Sequence, residues 1–313
     1  SLVPCIFEAA TIAITSYFLL GFSLTWGFLL GFVLSAISPA VVVPGMLLLQ
    51  EKNFGTDKGI PTLVIAAASV DDVVAITFFG VFLKIVFDTK SSLAWSFIKV
   101  PLEALIGLIF GSLLGVFLWY LPHQHDQSNA NFSNLIKYQR SVLLILSGVF
   151  TLFGSSAAGL GGSGVLGCLT LAFVVGIKWR NLDDFSSIES SLKFLWLLFQ
   201  PFLFSLIGIE VKLSNLQGPI GLSLIALFIG LLFRVLLSMI VVWGAKLNIK
   251  ERIFIGLAWI PKATVQAAIG PLALDMARET RDKIMIERST LVLTVAVLSI
   301  LITAPLGALL VKL

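Results

Sequence analysis

Charge is scarce in this sequence. Aspartate, glutamate, lysine and arginine make up 12% of 313 residues, about half the share of a soluble domain. That shortage excludes a water-facing globular surface. Cysteine is nearly absent: Cys5 and Cys168 both lie in apolar runs without neighbouring ligands. The pair reads as reduced small hydrophobes, which excludes a disulfide framework and a cysteine metal site. No n-region, apolar h-region and cleavage site open the given sequence, and its first span is expected to be a membrane helix. It starts at Ser1 without Met and is expected to begin inside a longer protein. A net charge of +4 is ordinary loop lysine and arginine, and nucleic acid is not an expected partner.

What remains is hydrophobic, at 58% of residues with a mean hydropathy of +1.03. A hydrocarbon core about 30 Å thick needs roughly 20 apolar residues in a helix, and this chain supplies that length many times over. Without water, spans must be helices or a closed barrel. The apolar runs lack the two-residue alternation of barrel strands and exceed their length. The expected class is therefore all-α and polytopic, with about ten spans near 2–20, 25–49, 60–87, 98–121, 141–156, 163–178, 192–209, 219–245, 252–275 and 289–312. Between the fifth and sixth, Gly154-Ser155-Ser156 and Gly159 to Gly164 read either as a tight hairpin or as a small-residue helix contact. The segment Pro122–Lys137, with His123, Gln124, His125 and Asp126, reads as an aqueous loop. If spans alternate, eleven lysines and arginines fall on one side and eight on the other, counting Lys90, Lys212 and Lys312 among them. This weak bias places both chain ends in the cytoplasm.

Two spans read as broken. One contains Ser38-Pro39-Ala40-Val41-Val42-Val43-Pro44, the other Trp259-Ile260-Pro261-Lys262-Ala263-Thr264. Proline removes a helical donor and clashes with the turn before it. A single membrane proline more often gives a plain kink. Here each interruption falls in the middle span of a three-span unit, 2–87 and 219–312. Matching interruptions in two halves point to unwound helices of an inverted repeat and to a transport site between them. Ser38, Pro39, Pro44, Pro261, Lys262 and Thr264 are the expected broken-helix positions.

Ionisable groups inside hydrocarbon cost about 2.5–3.5 kcal/mol each on insertion scales and need a reason. Asp71 and Asp72 lie mid-span, Asp72 roughly 18 Å along its helix. Adjacent residues point about 100° apart, so one carboxylate can face a cavity while the other faces a neighbouring helix. A buried carboxylate beside a like charge binds either a proton or a hard alkali cation, but not both, which is antiport in its simplest form. A buried aspartate that only accepts hydrogen bonds is the plainer reading, and two consecutive ones argue against it. Glu8 and Arg234, in outer members of the two repeats, are expected to form a salt bridge, with arginine too basic to carry protons. A structural tie is the preferred role for that pair. Lys262 is expected to neutralise carbonyl ends at its helix break, although a mid-span lysine can also snorkel. Glu103 and Lys84 read as interfacial.

The stretch Ala68-Ser69-Val70-Asp71-Asp72-Val73-Val74-Ala75-Ile76-Thr77 resembles the Asp-Asp helix of monovalent cation:proton antiporters. The two interrupted segments, the second read as Ala258 to Ala267, resemble the crossed, broken helices of the animal NHA branch, sodium/hydrogen exchangers related to bacterial NhaA. The resemblance implies a homodimer whose protomers hold an NhaA-like six-helix core of two inverted repeats, moving like an elevator against a dimer domain. Segments 1–90 and 216–313 would form the core repeats, and 91–215 the linking and dimer-domain helices. Lipids would sit at the dimer interface, and further spans would precede Ser1. Asp72 matches the essential group for Na⁺, Li⁺ and H⁺, and Asp71 its partner. Arg234 stands where electrogenic bacterial members have a lysine paired with the first aspartate. In the animal branch that arginine pairs instead with the glutamate matching Glu8. Loss of a titratable lysine there implies electroneutral exchange, one Na⁺ or Li⁺ for one H⁺, with no cofactor beyond the transported ions.

Three alternatives stay open. A K⁺/H⁺ antiporter would use the same carboxylates. An intramembrane aspartyl enzyme would need two aspartates on facing helices, whereas these are consecutive. A receptor or scaffold would leave the breaks and buried charges without purpose. Plasma, endosomal and mitochondrial membranes all suit the composition.

Overall fold

The computed structural model describes residues 2–87, 93–121, 130–182, 185–210 and 219–310. No strand occurs among them. The helices are α1 Leu2–Leu20, α2 Leu24–Ser35, α3 Pro39–Glu51, α4 Ile60–Phe87, α5 Leu93–Trp119, α6 Ala130–Ala157, α7 Gly161–Trp179, α8 Phe185–Glu210, α9 Ile220–Val241, α10 Ile249–Ala258, α11 Thr264–Ile269, α12 Leu272–Thr280 and α13 Lys283–Leu310. Among the described residues, six segments are long and apolar enough to cross a membrane: Leu2–Leu20, Leu24–Glu51, Leu102–Trp119, Tyr138–Ala157, Ile220–Val241 and Lys283–Leu310. Leu166–Trp179 is apolar but shorter.

The helices fall into two compact units, Ser1–Ser91 with Leu206–Leu313, and Ser92–Ser205. The first unit thus joins both ends of the chain. Within it, α1 packs against α2, α4 and α9. Hydrophobic association is weak in lipid, so close approach of small residues does the work. Gly27 and Gly31 of α2 lie one turn apart against Ala13 and Ala9 of α1. A methyl group on Gly27 would come within 2.8 Å of the Ala13 carbonyl oxygen, and one on Gly31 would run into the Ala9 backbone. On the other side of α2, Phe28 and Phe32 stack with Phe78 and Phe82 of α4 at centroid distances of 5.0 to 5.7 Å. The small face thus presses α2 onto α1 while the aromatic face registers it on α4. At one end of the unit, Lys58 in the turn before α4 pairs with Glu251 of α10 at 2.8 Å. Glu251 also completes a capping box with Asn248 that starts α10.

The second unit repeats the small-residue device. Gly107 and Gly111 of α5 face Ser163 and Gly167 of α7, and Trp119 Nε1 donates to the Val174 carbonyl at 2.8 Å. Leu118, Leu171, Val175, Trp179 and Ile188 form its buried cluster. The Gly/Ser stretch between α6 and α7 serves in both ways read from sequence. Gly159 turns the chain at φ +72°, and Gly164 rests on Leu152 and Ser155. One sequence reading changes: residues 130–137, read as loop, are the first two turns of α6. A helix can continue through a polar stretch beyond its apolar part, and composition alone does not separate that from a loop. Residues 122–129 of that expected loop, with Lys90, Lys212 and Lys312, lie outside the described residues.

The packing sets a test. Gly31→Ala should destabilise the folded protein by about 1–3 kcal/mol through overpacking. Gly80→Ala, where an added methyl meets nothing within 4 Å, should be neutral or stabilising by up to about 1 kcal/mol. Thermal unfolding of detergent-purified protein checks the pair, and equal effects would refute the close-contact account.

Candidate functional site

The first broken span ends α2 at Ser35, crosses Ala36-Ile37-Ser38 in extended backbone, and restarts at Pro39. Pro39 holds the first helical position, where its fixed φ suits a helix start and its missing N–H would have had no partner anyway. Pro44 lies inside α3 instead of in the break. In the second turn it forfeits its own bond to the Ala40 carbonyl and crowds that oxygen, yet the helix runs on to Glu51. The second broken span ends α10 at Ala258, passes Trp259 to Ala263, and restarts at Thr264. Pro261 and Lys262 sit in that gap. The two gaps bond to each other: Ser38 N donates to the Pro261 carbonyl at 2.9 Å. Lys262 N donates to Thr303 Oγ1 of α13, also at 2.9 Å, and Pro261 packs against Gly307, where any side chain would overlap it. Unwound backbone in a membrane is tolerated only with such replacement partners.

Ending α2 in the interior exposes carbonyls that no further turn can satisfy. Three side chains from α9, the second gap and α11 meet them. Arg234 Nη1 of α9 donates to the Ser35 carbonyl, and Lys262 Nζ donates to the same oxygen at 3.4 Å. Gln266 Nε2 of α11 donates to the Val33 and Ala36 carbonyls at 3.0 and 2.7 Å. Two of these donors are cations at the negative end of the helix dipole.

Three carboxylates join them. Glu8 of α1 pairs with Arg234 Nη1 and lies 3.0 Å from Lys262 Nζ. Arg234 Nη2 pairs with Asp71 Oδ2 of α4, and its guanidinium lies 5.5 Å over the Trp259 ring. Glu8, Asp71, Arg234 and Lys262 are all essentially fully buried. The reading that moves Arg234 off the aspartates and onto Glu8 is corrected: it holds Glu8 and Asp71 together. The five-donor fork of a guanidinium can serve two carboxylates at once, and α1 packs against both α4 and α9. The expected division between adjacent aspartates also has a geometric form. Asp71 faces the arginine, while Asp72 lies partly buried near the Ile37 backbone amide. Asp72 makes no salt bridge among the described residues, and its Oδ1 is buried without a hydrogen-bond partner.

The cluster therefore holds three carboxylates, Glu8, Asp71 and Asp72, against two cations, Arg234 and Lys262. One negative charge is uncompensated, and it falls to Asp72. Ser38 Oγ, Gln266 Oε1 and one oxygen each of Asp71 and Asp72 are buried without partners. An unmet buried polar group costs about 1–3 kcal/mol, so these oxygens are acceptors that the protein's own donors leave unmet. Oxygen is the donor type that hard cations take. Thr264 opens α11 and is partly buried. Cys5 stands beside the cluster, with Sγ 3.4 Å from Ser35 Oγ. The sequence reading missed the Lys262–Glu8 contact and the part played by Gln266. A buried lysine requires a carboxylate, but sequence could not choose among three.

Charge exchange separates these contacts. Glu8→Arg or Arg234→Glu alone should cost about 3–5 kcal/mol, as when a buried pair loses one partner. Combining them should recover part of that loss and no more. The swap restores the Glu8–Arg234 pair but sets an arginine beside Lys262 and a glutamate beside Asp71. Thermal unfolding of the three variants checks the ranking. Full recovery by the double variant would refute the bridging role of Arg234.

A family model described as "Sodium/hydrogen exchanger, transmembrane" matches residues 1–312. Sodium/hydrogen exchanger 9B2 of Xenopus tropicalis is 47% identical over 311 residues, which cover 99% of this chain and 56% of the relative. The human 9B2 protein is 45% identical over 314 residues, covering 100% and 57%. Human sodium/hydrogen exchanger 9B1 is 43% identical over 308 residues, covering 98% and 58%. The chain thus spans somewhat more than half the length of these relatives. With a family match over nearly every residue and six apolar segments of membrane-crossing length among the described residues, this is an integral membrane chain that belongs to the sodium/hydrogen exchanger family.

Proposed function

We propose that the protein of which this chain is part exchanges Na⁺ or Li⁺ for H⁺ across its membrane, with Asp72 as the group that binds either ion. The observation that carries this reading is the charge count. Asp72 is the one carboxylate of the cluster that neither Arg234 nor Lys262 pairs. A proton or a monovalent cation would each cancel its charge, and they cannot do so together. Asp71 supports the site by holding Arg234.

The same count supports electroneutral exchange. Arg234 cannot release its proton in the working range, and Lys262 is held by Glu8 and the Ser35 carbonyl. Loaded with Na⁺ or with H⁺, the cluster carries the same charge. The fold we propose is an inverted repeat. Its halves are α1, broken α2–α3 and α4, then α9, broken α10–α11 and α13. At 28 residues, α4 is about 42 Å long, enough to cross despite its charges, and about ten crossings follow when the remaining long helices are included. The core carrying the site would move as a body in an elevator cycle. A homodimer with interfacial lipid is the assembly read for it.

The test uses the full-length protein in proteoliposomes and in cells lacking their own Na⁺ exporters. Wild type should support Na⁺- and Li⁺-dependent proton flux and salt tolerance, and Asp72→Asn should lose both. Retained flux in Asp72→Asn would remove the reading. Half-saturating Na⁺ should fall as pH rises, because proton competition for Asp72 relaxes. Transport should generate no membrane potential; a sustained potential would show that Lys262 releases a second proton. K⁺-driven proton flux exceeding Na⁺-driven flux would reassign the cargo to K⁺.

A further inference from the structure

Gln266 is a neutral side chain in the middle of a charged cluster, 1% exposed, and the salt-bridge network does not use it. Its carboxamide orientation is determined by its neighbours. Nε2 faces two carbonyl oxygens, Val33 at 3.0 Å and Ala36 at 2.7 Å. Both are acceptors only, so the amine side must face them, and a flipped amide would set oxygen against oxygen. Oε1 is therefore turned away from α2, where it is buried and has no hydrogen-bond partner.

The surroundings of the Ala36-Ile37-Ser38 linker give that oxygen a context. Ala36 takes the Gln266 amine. The Ile37 amide faces Asp72. Ser38 N binds Pro261, five residues before Gln266, and Ser38 Oγ is also buried without a partner. Three consecutive residues thus anchor three side chains that each carry an unmet oxygen, Gln266 Oε1, Asp72 Oδ1 and Ser38 Oγ, on one short stretch of unwound backbone.

We propose that Gln266 is a specificity-determining residue of the transport site: its Oε1 supplies a neutral oxygen to the dehydrated cation held by Asp72, and its amine lock on Val33 and Ala36 sets the size of cation accepted. The inference rests on the exchange reading above. Neutral carbonyl-type oxygens replace hydration water around alkali cations without adding charge. Such a ligand suits a cluster whose single uncompensated charge is already on Asp72. A protonated Asp72 can donate at most one hydrogen bond to such an oxygen, whereas a dehydrated cation takes several oxygen ligands, so Gln266 acts more on cation binding than on proton binding. The lock has a directional consequence as well. Val33 and Ala36 lie at the end of α2 and Gln266 in α11, while Asp72 lies in α4 near the Ile37 amide, so the linker after α2 sets the neutral ligand against the charged one.

The experiment measures Li⁺-, Na⁺- and K⁺-dependent proton flux of full-length protein in proteoliposomes. It compares wild type, Gln266→Leu, Gln266→Asn and Asp72→Asn, with cation-dependent thermal stabilisation as a binding readout. Gln266→Leu should raise half-saturating Na⁺ by about tenfold at a similar maximal rate. The pH of its half-maximal proton binding should move far less than its Na⁺ dependence. Gln266→Asn keeps the oxygen but draws it back by one methylene, and should change the Li⁺ to Na⁺ preference. If Gln266→Leu does not fold, Gln266→Asn decides. A folded variant with wild-type half-saturation and cation preference overturns the proposal. So does a variant that only loses stability, with cation affinity unchanged. Loss of flux in Asp72→Asn together with unchanged Gln266 variants would defeat this inference alone. Retained flux in Asp72→Asn would defeat the exchange reading beneath it.

Discussion

A carbonyl at the end of a helix has to be answered, and in hydrocarbon no water can do it. The end of α2 at Ser35 imposes that constraint on this chain. Arg234, Lys262 and Gln266 converge there because α2 stops in the interior, and the carboxylates follow because two buried cations cannot stand alone. Glu8 answers Lys262 and Arg234 together, and Asp71 answers the arginine's other arm. Removing the break would remove the reason for the charges. Removing the charges would leave the break unsatisfied.

That convergence depends on packing with little tolerance. Gly27 and Gly31 let α2 lie against the backbone of α1, which brings Ser35 within reach of groups on α1 and α9. Gly307 lets Pro261 seat against α13, so that Lys262 N reaches Thr303. The aromatic stack of Phe28, Phe32, Phe78 and Phe82 sets α2 along α4, and α4 carries both aspartates. Small residues thus set how close the helices come, aromatic residues set their register, and the polar contacts are made within the space that remains.

Much of this was legible in the sequence, and the limits have physical causes. Apolar length marks membrane helices, and proline in a mid-span position marks an interrupted one. The pairing of Glu8 with Arg234 could be read because a lone buried charge is so costly that each demands a partner. How many partners an arginine takes could not be read. That Arg234 also reaches Asp71 depends on where α1, α4 and α9 meet, and residue identity does not contain it. Pro44 misled because proline marks helix starts and interiors as well as breaks, and position decides which. Residues 130–137 misled because the polar end of a long helix has the composition of a loop. Gln266 was in view within a quoted motif, yet its role follows from carbonyls more than two hundred residues away. The family match bears on all of this at the level of the chain, while the disposition of these side chains is set by how the helices meet.

On the proposed reading, the charge count also bears on why exchange would be coupled at all. Occupied by Na⁺ or by H⁺, the cluster has no uncompensated charge. With Asp72 empty, it carries one buried negative charge. Moving that charge across hydrocarbon is costly, by several kcal/mol in most treatments. The empty site would therefore cross far less often than either loaded form, and the two ions would have to alternate. A conformational equilibrium responds to a ligand only through a difference in interaction between states. Here the difference is electrostatic and does not require the ion to remould the protein. Arg234 and Lys262 then do more than tie helices together. By cancelling Glu8 and Asp71, they would leave a single charge to be carried, and so would set the proposed exchange at one ion for one.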